Sequence, residues 1–406
     1  MATDDLSRLT NDEKTALLAL LKRAIDDDRY PLSPRISQLR GILAKQPPKP
    51  GPPPRNVKDQ TLAEAYRLEN KGRFSMSLTQ TRRRFLTNLS LAAAPGLLRS
   101  PRALAAEEAL ETTNIRMSKS RICAGAEAFA AEELLRAEGF KEIAYIDVSK
   151  KVEPPALANG GIDFSLNFAI NHIQAIDHGA PLTILTGVHS GCYELFAREG
   201  LGGITELKGK QVGLQAGSPA LLRLMAAQVG LDPEKDFQWV IDPKLKPLDL
   251  FAEGKIDAFF AFPPEPQELR ARRVGHVILD TTVDRPWSQY FCCMVAANSD
   301  YVRRYPIATK RALRAILRAA DLCVNDAPAV ARRLIDSGVT RQYDYALQTI
   351  SEMRYDRWRD YDAEDTVRFY ALRLHEAGMI KSTPKKIIAQ NTDWRFLDEL
   401  KRELKA

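Results

Sequence analysis

From residue 114 onward, strand-like and helix-like segments alternate along the chain in two successive blocks. The first block predicts strands within 114–123, 143–148, 163–166 and 182–188, with a helix over 129–138 among the connections. The second block continues the alternation from 211 to 297, and the remainder from 307 is helical throughout. Such an order favours an α/β protein with two sheets, each flanked by helices, and with a helical C-terminal part.

An export-type signal lies upstream of this body. The basic string Thr81-Arg82-Arg83-Arg84-Phe85-Leu86 precedes an apolar run over 89–98 and the small-x-small sequence Ala103-Leu104-Ala105. These are the three parts of a signal peptide, and the apolar run is too short to span a bilayer. The paired arginines resemble a twin-arginine signal. We expect 76–105 to direct export to the periplasm through the twin-arginine machinery; the alternative is a basic loop before a buried helix.

The leader over 1–75 has a different composition from the body. It predicts a capped helix that starts near Thr10, a second short helix and a proline-rich linker over 46–54. Nothing in it resembles a catalytic motif. Two interpretations remain open: translation starts at Met76, or a small upstream module is fused to the exported protein.

The positive charge of the chain is concentrated in the leader and the signal. The formal net charge is +7, but counting along the sequence gives +9 for residues 1–105 and −2 for residues 106–406. A nucleic-acid-binding body needs a basic face, so this distribution predicts no nucleic-acid partner. The body is long enough for two compact lobes with cores of their own.

The histidine and cysteine side chains show no familiar catalytic pattern. The five histidines are scattered, and Ser190-Gly191 lacks the G-x-S-x-G elbow. His189-x-x-Cys192 and the neighbouring Cys292-Cys293 are fragments of a metal-site pattern without a further ligand, so the sequence predicts no metal, cofactor or catalytic residue. Cys123 and Cys192 are one candidate disulfide pair in an exported protein, and buried free thiols are the alternative.

Three motifs in a fixed order carry a family resemblance. They are Gly160-Gly161-Ile162-Asp163-Phe164, Leu207-Lys208-Gly209-Lys210-Gln211-Val212-Gly213 and Gly254-Lys255-Ile256-Asp257-Ala258. With these motifs behind an export signal, the body resembles the periplasmic solute-binding proteins of ABC importers, in the nitrate, sulfonate and taurine class. The same superfamily includes thiamine-pyrimidine synthases.

The resemblance implies a type II-like periplasmic-binding-protein fold with two lobes and a two-pass hinge. Lobe one would comprise 106–200 and 291–406, lobe two would comprise 201–290, and the crossings would lie near 196–205 and 284–291. The expected protein is a monomer that captures a small polar or anionic organic solute, sulfonate-, nitrate- or pyrimidine-like, and delivers it to an ABC permease and its ATPase. A synthase-like enzyme of the same fold and a ligand sensor without transport are the alternatives.

Candidate ligand contacts follow from the sheet geometry. Open α/β sheets bind ligands beyond the carboxyl ends of their strands, where helix N-termini present free N–H groups. Gly217 and Ser218 follow a predicted strand. Gly217 permits close approach of a ligand to the backbone, Ser218 suits a helix N-cap, and Pro219 suits the first helical turn. Asn167 and Phe168 occupy the matching loop of lobe one. A capped helix without ligand and ordinary packing are the respective alternatives.

Three further loops complete the predicted binding set. His189 and Ser190 end a strand, and His189 can hydrogen-bond an anion or be an ordinary buried or exposed histidine. Pro263 and Glu265 follow a strand of lobe two, although Glu265 also suits the first turn of a helix. Trp287 lies at the second crossing, where it can stack on a ligand or pack the hinge.

Overall fold

The computed structural model describes residues 108–119, 122–147, 153–214 and 219–404. The predicted leader over 1–75 and the predicted signal over 76–105 lie outside these residues. Strands and helices are numbered along the described chain.

The first sheet forms the centre of lobe one, in the strand order β2-β1-β3-β10-β4. β1–β3 run parallel, whereas β10 is antiparallel to both of its neighbours, β3 and β4. The strands are β1 (Asn114–Ser118), β2 (Glu142–Ile146), β3 (Phe164–Phe168), β4 (Leu182–His189) and β10 (Cys293–Asn298). The helices between them are α1 (Ile122–Ala130), α2 (Glu132–Ala137), α3 (Glu153–Ala158) and α4 (Ala169–Asp177).

The second sheet forms lobe two, in the strand order β7-β6-β8-β5-β9. β5 is antiparallel to β8 and β9, whereas β6 runs parallel to β7 and β8. The strands are β5 (Glu194–Ala197), β6 (Lys210–Leu214), β7 (Phe237–Val240), β8 (Ala258–Ala261) and β9 (His276–Asp280). The helices are α5 (Pro219–Gln228), α6 (Pro247–Ala252) and α7 (Glu265–Arg272).

Each sheet therefore contains one antiparallel strand that follows a crossing from the other lobe. β5 follows β4 after the first crossing, and β10 follows β9 after the second. Because β5 already pairs in the second sheet, the first crossing lies over 190–193 rather than near 196–205. The lobe boundary expected at residue 200 is thus too late along the chain. The second crossing lies between β9 and β10, and it includes the expected segment 284–291.

The aspartates of the two glycine–aspartate motifs, 160–164 and 254–258, make the same kind of hydrogen bond in the two lobes. The Asp163 carboxylate accepts hydrogen bonds from the backbone N–H of Arg116 at 2.8 Å and from its guanidinium at 2.6 Å. In lobe two, Asp257 accepts from the backbone N–H of Gln211 at 2.8 Å. In each case the aspartate lies just before a central strand and fastens it to the neighbouring parallel strand. The motifs therefore indicate strand pairing. The hydrogen bonds are strong because a charged carboxylate is a better acceptor than a neutral group.

The C-terminal part is helical, as predicted. Its helices are α8 (Ser299–Arg304), α9 (Pro306–Asn325), α10 (Ala327–Asp336), α11 (Tyr343–Glu352), α12 (Ala363–Glu376), α13 (Pro384–Asn391) and α14 (Arg395–Glu403). Side chains of Asp326, Asp362 and Thr383 accept from backbone N–H groups in the first turns of α10, α12 and α13. Such caps satisfy donors that have no partner within the helix.

The start of the body differs from the prediction. The first strand ends at Ser118, and the helix expected over 129–138 instead begins at Ile122 and is interrupted at Ala131. Apart from Glu127, α1 consists of small and apolar residues, and it is buried along most of its length, so it lacks the one-sided apolar stripe by which amphipathic helices are recognised. Within the described residues, no helix combines the length and apolarity that a membrane crossing requires.

Candidate functional site

Among the described residues, several of the predicted contacts lie at or just after the carboxyl ends of strands in the two sheets. β3 ends at Phe168 and β4 at His189 in lobe one, whereas β8 of lobe two is followed by Pro263 and Glu265. Gly217 and Ser218 follow β6 but lie outside the described residues. Their predicted ligand contacts stay predictions.

Asn167 and Phe168 are the last two residues of β3, whereas the sequence predicted them in a loop. The Asn167 side-chain oxygen accepts from the backbone N–H of Phe168 at 2.6 Å and from the Asn171 amide at 3.1 Å. α4 starts at Ala169, directly after the strand, so no loop residues separate the two elements, and these hydrogen bonds hold the Asn167 side chain in place.

A cluster of aromatic rings connects the two lobes beside the end of β3. Tyr193 comes from the first crossing and stacks on Phe260 of β8, with ring centroids 4.8 Å apart. On its other sides it contacts Phe168 of lobe one at 5.4 Å and Phe262 of lobe two at 5.1 Å. A crossing residue therefore lies between side chains of both lobes, and any rotation of one lobe against the other changes these contacts.

The remaining predicted contacts are largely occupied by packing and loop hydrogen bonds. The Glu265 carboxylate is buried and accepts from the Phe262 backbone N–H at 2.8 Å, which fixes the loop that contains Pro263. The Trp287 indole is buried against Phe369 of α12, with ring centroids 5.8 Å apart. In this arrangement of the lobes, Trp287 packs the second crossing onto the C-terminal helices.

The two crossings are fastened to each other. The Thr281 hydroxyl oxygen accepts from the backbone N–H groups of Cys192 at 3.1 Å and Tyr193 at 2.9 Å. Gly191 has a φ of +76°, and a Cβ there would lie 2.3 Å from the Thr282 hydroxyl, so only glycine fits without displacement. Ser190 is fully buried, and its backbone pairs with Arg354 of the C-terminal part.

An ion-pair network joins lobe two to the C-terminal helices of lobe one. The Arg270 guanidinium on α7 donates to Glu194 of β5 at 2.6 Å and to Glu352 of α11 at 2.6 Å. Gln267, one turn earlier on α7, also donates to Glu352 at 3.0 Å. Burial raises the pKa of Glu194, and the Arg270 hydrogen bond opposes that shift. Of these contacts, those to Glu352 bridge the lobes.

Replacing Glu352 with glutamine is expected to favour separation of the lobes about fivefold. Charge-assisted hydrogen bonds contribute about 1.5–3 kcal/mol, but Arg270 and Glu352 are 33% and 36% exposed, and solvent screening leaves about 1 kcal/mol. Single-molecule energy transfer between dyes on the two lobes measures the open-to-closed ratio. The control is Glu268→Gln, because the Glu268 carboxylate pairs with Arg272 of its own helix and so makes a contact within α7. Equal ratios in both variants would contradict the bridging role.

A compact group of sulfur and imidazole side chains lies at the carboxyl edge of the first sheet. Cys123, His189, Cys192 and Cys293 place their ligand atoms within 4.8 Å of one another, and all four residues are buried. The His189 Nε2 atom is 3.2 Å from the Cys192 sulfur, and the Cys192 and Cys123 sulfurs are 3.5 Å apart. All five cysteines are free, so the candidate Cys123–Cys192 disulfide is not formed in this structure.

A buried carboxylate contacts the histidine of this group on the side of the ring that faces away from the sulfurs. Glu127, one turn after Cys123 on α1, has a carboxylate oxygen 2.5 Å from His189 Nδ1, and both side chains are fully buried. Burial raises the pKa of Glu127. Burial acts to lower the pKa of His189, but the Glu127 charge outweighs it and holds that pKa well above its usual value. A proton is therefore held between the two side chains on the Nδ1 side of the ring.

The thiols of the group differ in acidity. Hydrogen bonds from the Cys123, Cys192 and Cys292 thiols hold the pKa of Cys293 well below that of an ordinary thiol. Burial raises the pKa of Cys123 to about 11 and that of Cys192 well above its usual value. Perturbed acidity in a buried cluster is typical of functional sites, although structural networks also produce it.

The sequence patterns singled out His189-x-x-Cys192 and Cys292-Cys293 as separate fragments and Cys123 as a disulfide candidate, but they did not predict that these residues form one group, and Glu127 was missed. Cys123, Glu127 and Cys293 are far away along the chain and meet only because α1, β4 and β10 converge at one sheet edge. One local signal was available: Cys123 and Glu127 are four residues apart, which places them on one face of a helix.

The comparisons with known proteins agree with this architecture. Residues 149–336 match the NMT1-like family. The structure is similar to a putative periplasmic sulfonate-binding protein, SsuA, from Methylobacillus flagellatus KT, with a TM-score of 0.56 and 20% identity over 72% of this chain and 94% of that one. It is also similar to the periplasmic nitrate-binding protein NrtA from Synechocystis PCC 6803, with a TM-score of 0.61 and 15% identity over 73% and 90% of the two chains.

The described body has the periplasmic-binding-protein fold. This confirms the predicted fold class and the predicted resemblance to the sulfonate- and nitrate-binding proteins. The same fold occurs in the desulfurization enzyme DSZB, with a TM-score of 0.52 and 14% identity over 71% of this chain and 99% of that one. Among proteins of curated function, none matches the sequence. The binding-protein fold thus includes both solute-binding proteins and an enzyme.

Proposed function

We propose that this chain is an exported solute-binding protein that captures a small polar or anionic organic solute between its lobes and delivers it to an ABC permease. One observation carries the proposal: two sheets present the carboxyl ends of their parallel strands beside a hinge that the chain crosses twice. Hinged lobes with this topology are suited to closing around a ligand that contacts both. The twin-arginine signal over 76–105 and a monomeric state belong to the same proposal.

The ligand class follows from the predicted loops and from the relatives. Solved proteins of this fold include a sulfonate-binding protein and a nitrate-binding protein, and sulfonates and nitrate are anions. In this chain, Gly217 and Ser218 remain the proposed anion contacts in lobe two, because a glycine–serine helix start offers free backbone N–H groups. Phe168 and Tyr193 supply an apolar surface for the organic part of the solute.

The proposal is tested by ligand recovery and titration. Native mass spectrometry of protein purified from the periplasm identifies any bound small molecule, and calorimetry against sulfonates, nitrate, bicarbonate and pyrimidines measures affinity. We expect one solute per chain, and we expect Gly217→Val to weaken its binding at least tenfold by blocking approach to the backbone. Gly203→Ala is the matched control, because nothing lies within 4 Å of the added Cβ.

Three outcomes would replace this proposal. Turnover of a panel member would favour the synthase-like enzyme. Tight binding by a protein that supports no uptake in cells would favour the sensor. Unchanged affinity in Gly217→Val would move the anion contact to another loop.

A further inference from the structure

The Cys123, His189, Cys192 and Cys293 group has the geometry of a tetrahedral metal site. In a four-coordinate zinc site, metal–sulfur bonds of about 2.3 Å and metal–nitrogen bonds of about 2.0 Å place neighbouring ligand atoms about 3.5–3.8 Å apart. The observed separations of 3.2 Å between His189 Nε2 and the Cys192 sulfur, and of 3.5 Å between the Cys192 and Cys123 sulfurs, are close to these values. All four ligand atoms lie within 4.8 Å of one another, a spread that a small movement of side chains closes.

The orientation of His189 suits a ligand. Its Nδ1 atom faces the Glu127 carboxylate at 2.5 Å and its Nε2 atom faces the Cys192 sulfur. Once metal binding displaces the Nε2 proton, the proton that remains on Nδ1 points to Glu127 and the Nε2 lone pair is directed toward the sulfurs. Metal-binding histidines commonly donate their second N–H to a carboxylate, which fixes the tautomer and the ring direction. The second Glu127 oxygen has no hydrogen-bond partner among the described residues. Burying this carboxylate beside an imidazole is costly without a compensating charge.

The donor set selects the kind of metal. Three sulfurs and one imidazole nitrogen form a soft set of the Cys3His type. Calcium and magnesium prefer oxygen ligands. Because four protein ligands fill a tetrahedral shell, such a site is closed and structural rather than catalytic.

We propose that Cys123, His189, Cys192 and Cys293 bind one Zn²⁺ ion, with Glu127 as the positioning residue of His189. On binding, the three cysteines coordinate as thiolates and His189 coordinates through a deprotonated Nε2. The protons that these groups carry pass to solvent, and the metal forms three sulfur bonds and one nitrogen bond, with no change of oxidation state.

The ligands come from lobe one and from the first crossing. Cys123 lies on α1 of lobe one, Cys192 lies in the first crossing, and Cys293 begins β10 directly after the second crossing. A bound ion therefore fixes both crossings to lobe one and stiffens the segment about which the lobes turn. This inference does not depend on the identity of the solute.

The first test is the metal content of the full chain, purified without a histidine tag and without chelators. Mass spectrometric elemental analysis is expected to find about one zinc per chain. Cys192→Ser and Cys293→Ser are expected to lose it. Cys323→Ser is the matched control, since Cys323 is a buried free cysteine outside the four-ligand group, and it is expected to retain the metal.

The second test stays informative when a cysteine variant fails to fold. Metal-depleted parent protein is titrated with Co²⁺, which is expected to give the visible absorption of tetrahedral cobalt–thiolate coordination at one ion per chain. Glu127→Gln keeps all four ligands and is expected to weaken Co²⁺ affinity about 10–100-fold. Loss of metal with retained solute binding, or the reverse, separates this site from the proposed solute site.

Three results would overturn the proposal. They are folded parent protein with no bound metal and no cobalt–thiolate absorption, a Cys123–Cys192 disulfide in the purified protein, and equal zinc content in Cys293→Ser and Cys323→Ser.

Discussion

Replacing Gly187 with alanine is expected to destabilise the protein by about 3 kcal/mol, at the upper end of the usual cost of overpacking. Gly187 lies in β4, and an added Cβ would meet the ring of Phe291 at 2.1 Å. Phe291 belongs to the second crossing and is 1% exposed, so its ring cannot swing into solvent without opening the hinge. The single methyl group therefore forces either β4 or the crossing to move. Urea unfolding followed by circular dichroism measures the loss.

Two further variants isolate the cause of that loss. Gly203→Ala adds the same methyl group in open space, and its effect is expected within about 0.5 kcal/mol. Phe291→Leu leaves room beside residue 187, so the double variant Gly187→Ala/Phe291→Leu is expected to be more stable than the sum of the single effects, by at least about 1 kcal/mol. Strict additivity would show that the ring is not the obstacle.

The sequence predicted the two lobes because their signals are local. Strand–helix alternation is visible in a short window, and the aspartates of the repeated glycine motifs, Asp163 and Asp257, tie a strand to its neighbour in both sheets. The strand Glu194–Ala197 was missed because it has only four residues and all of them are buried. Such a short stretch shows no alternation of exposed and buried positions, so periodicity cannot identify it. That omission also displaced the predicted first crossing.

The candidate site was less accessible to sequence reasoning because its members meet through topology. His189 and Cys192 are near neighbours in sequence, but Cys123 and Cys293 reach them only when α1 and β10 align at the end of β4. Conversely, Trp287 has a sequence context that suits stacking on a ligand, yet its indole packs on Phe369. Spacing along the chain indicates motifs within one element, whereas a site built from three elements depends on the sheet order.

Acidification is expected to destabilise the protein through His172, by up to about 3 kcal/mol between pH 6.5 and pH 4. This α4 side chain is 1% exposed, and its Nε2 donates to the Met294 carbonyl at 3.2 Å, whereas its Nδ1 has no hydrogen-bond partner among the described residues. Burial lowers the pKa of His172 from 6.5 to about 4. The unfolded chain therefore binds a proton in this window that the folded protein does not. Stability consequently rises with pH through the window and is lost as pH falls.

The variant His172→Gln tests this assignment because an amide can still donate to the Met294 carbonyl but does not titrate. We expect it to be less stable than the parent at pH 7, yet to lose less stability between pH 6.5 and pH 4. Unfolding free energies from urea titrations at several pH values give both slopes, and the difference between them isolates His172 from the other ionisable groups. His178→Gln is the control, since the His178 ring lies at the exposed end of α4. This variant keeps the buried imidazole of His172, so its pH profile should match that of the parent. Parallel pH profiles for the parent and His172→Gln would mean that the imidazole becomes protonated inside the fold without cost.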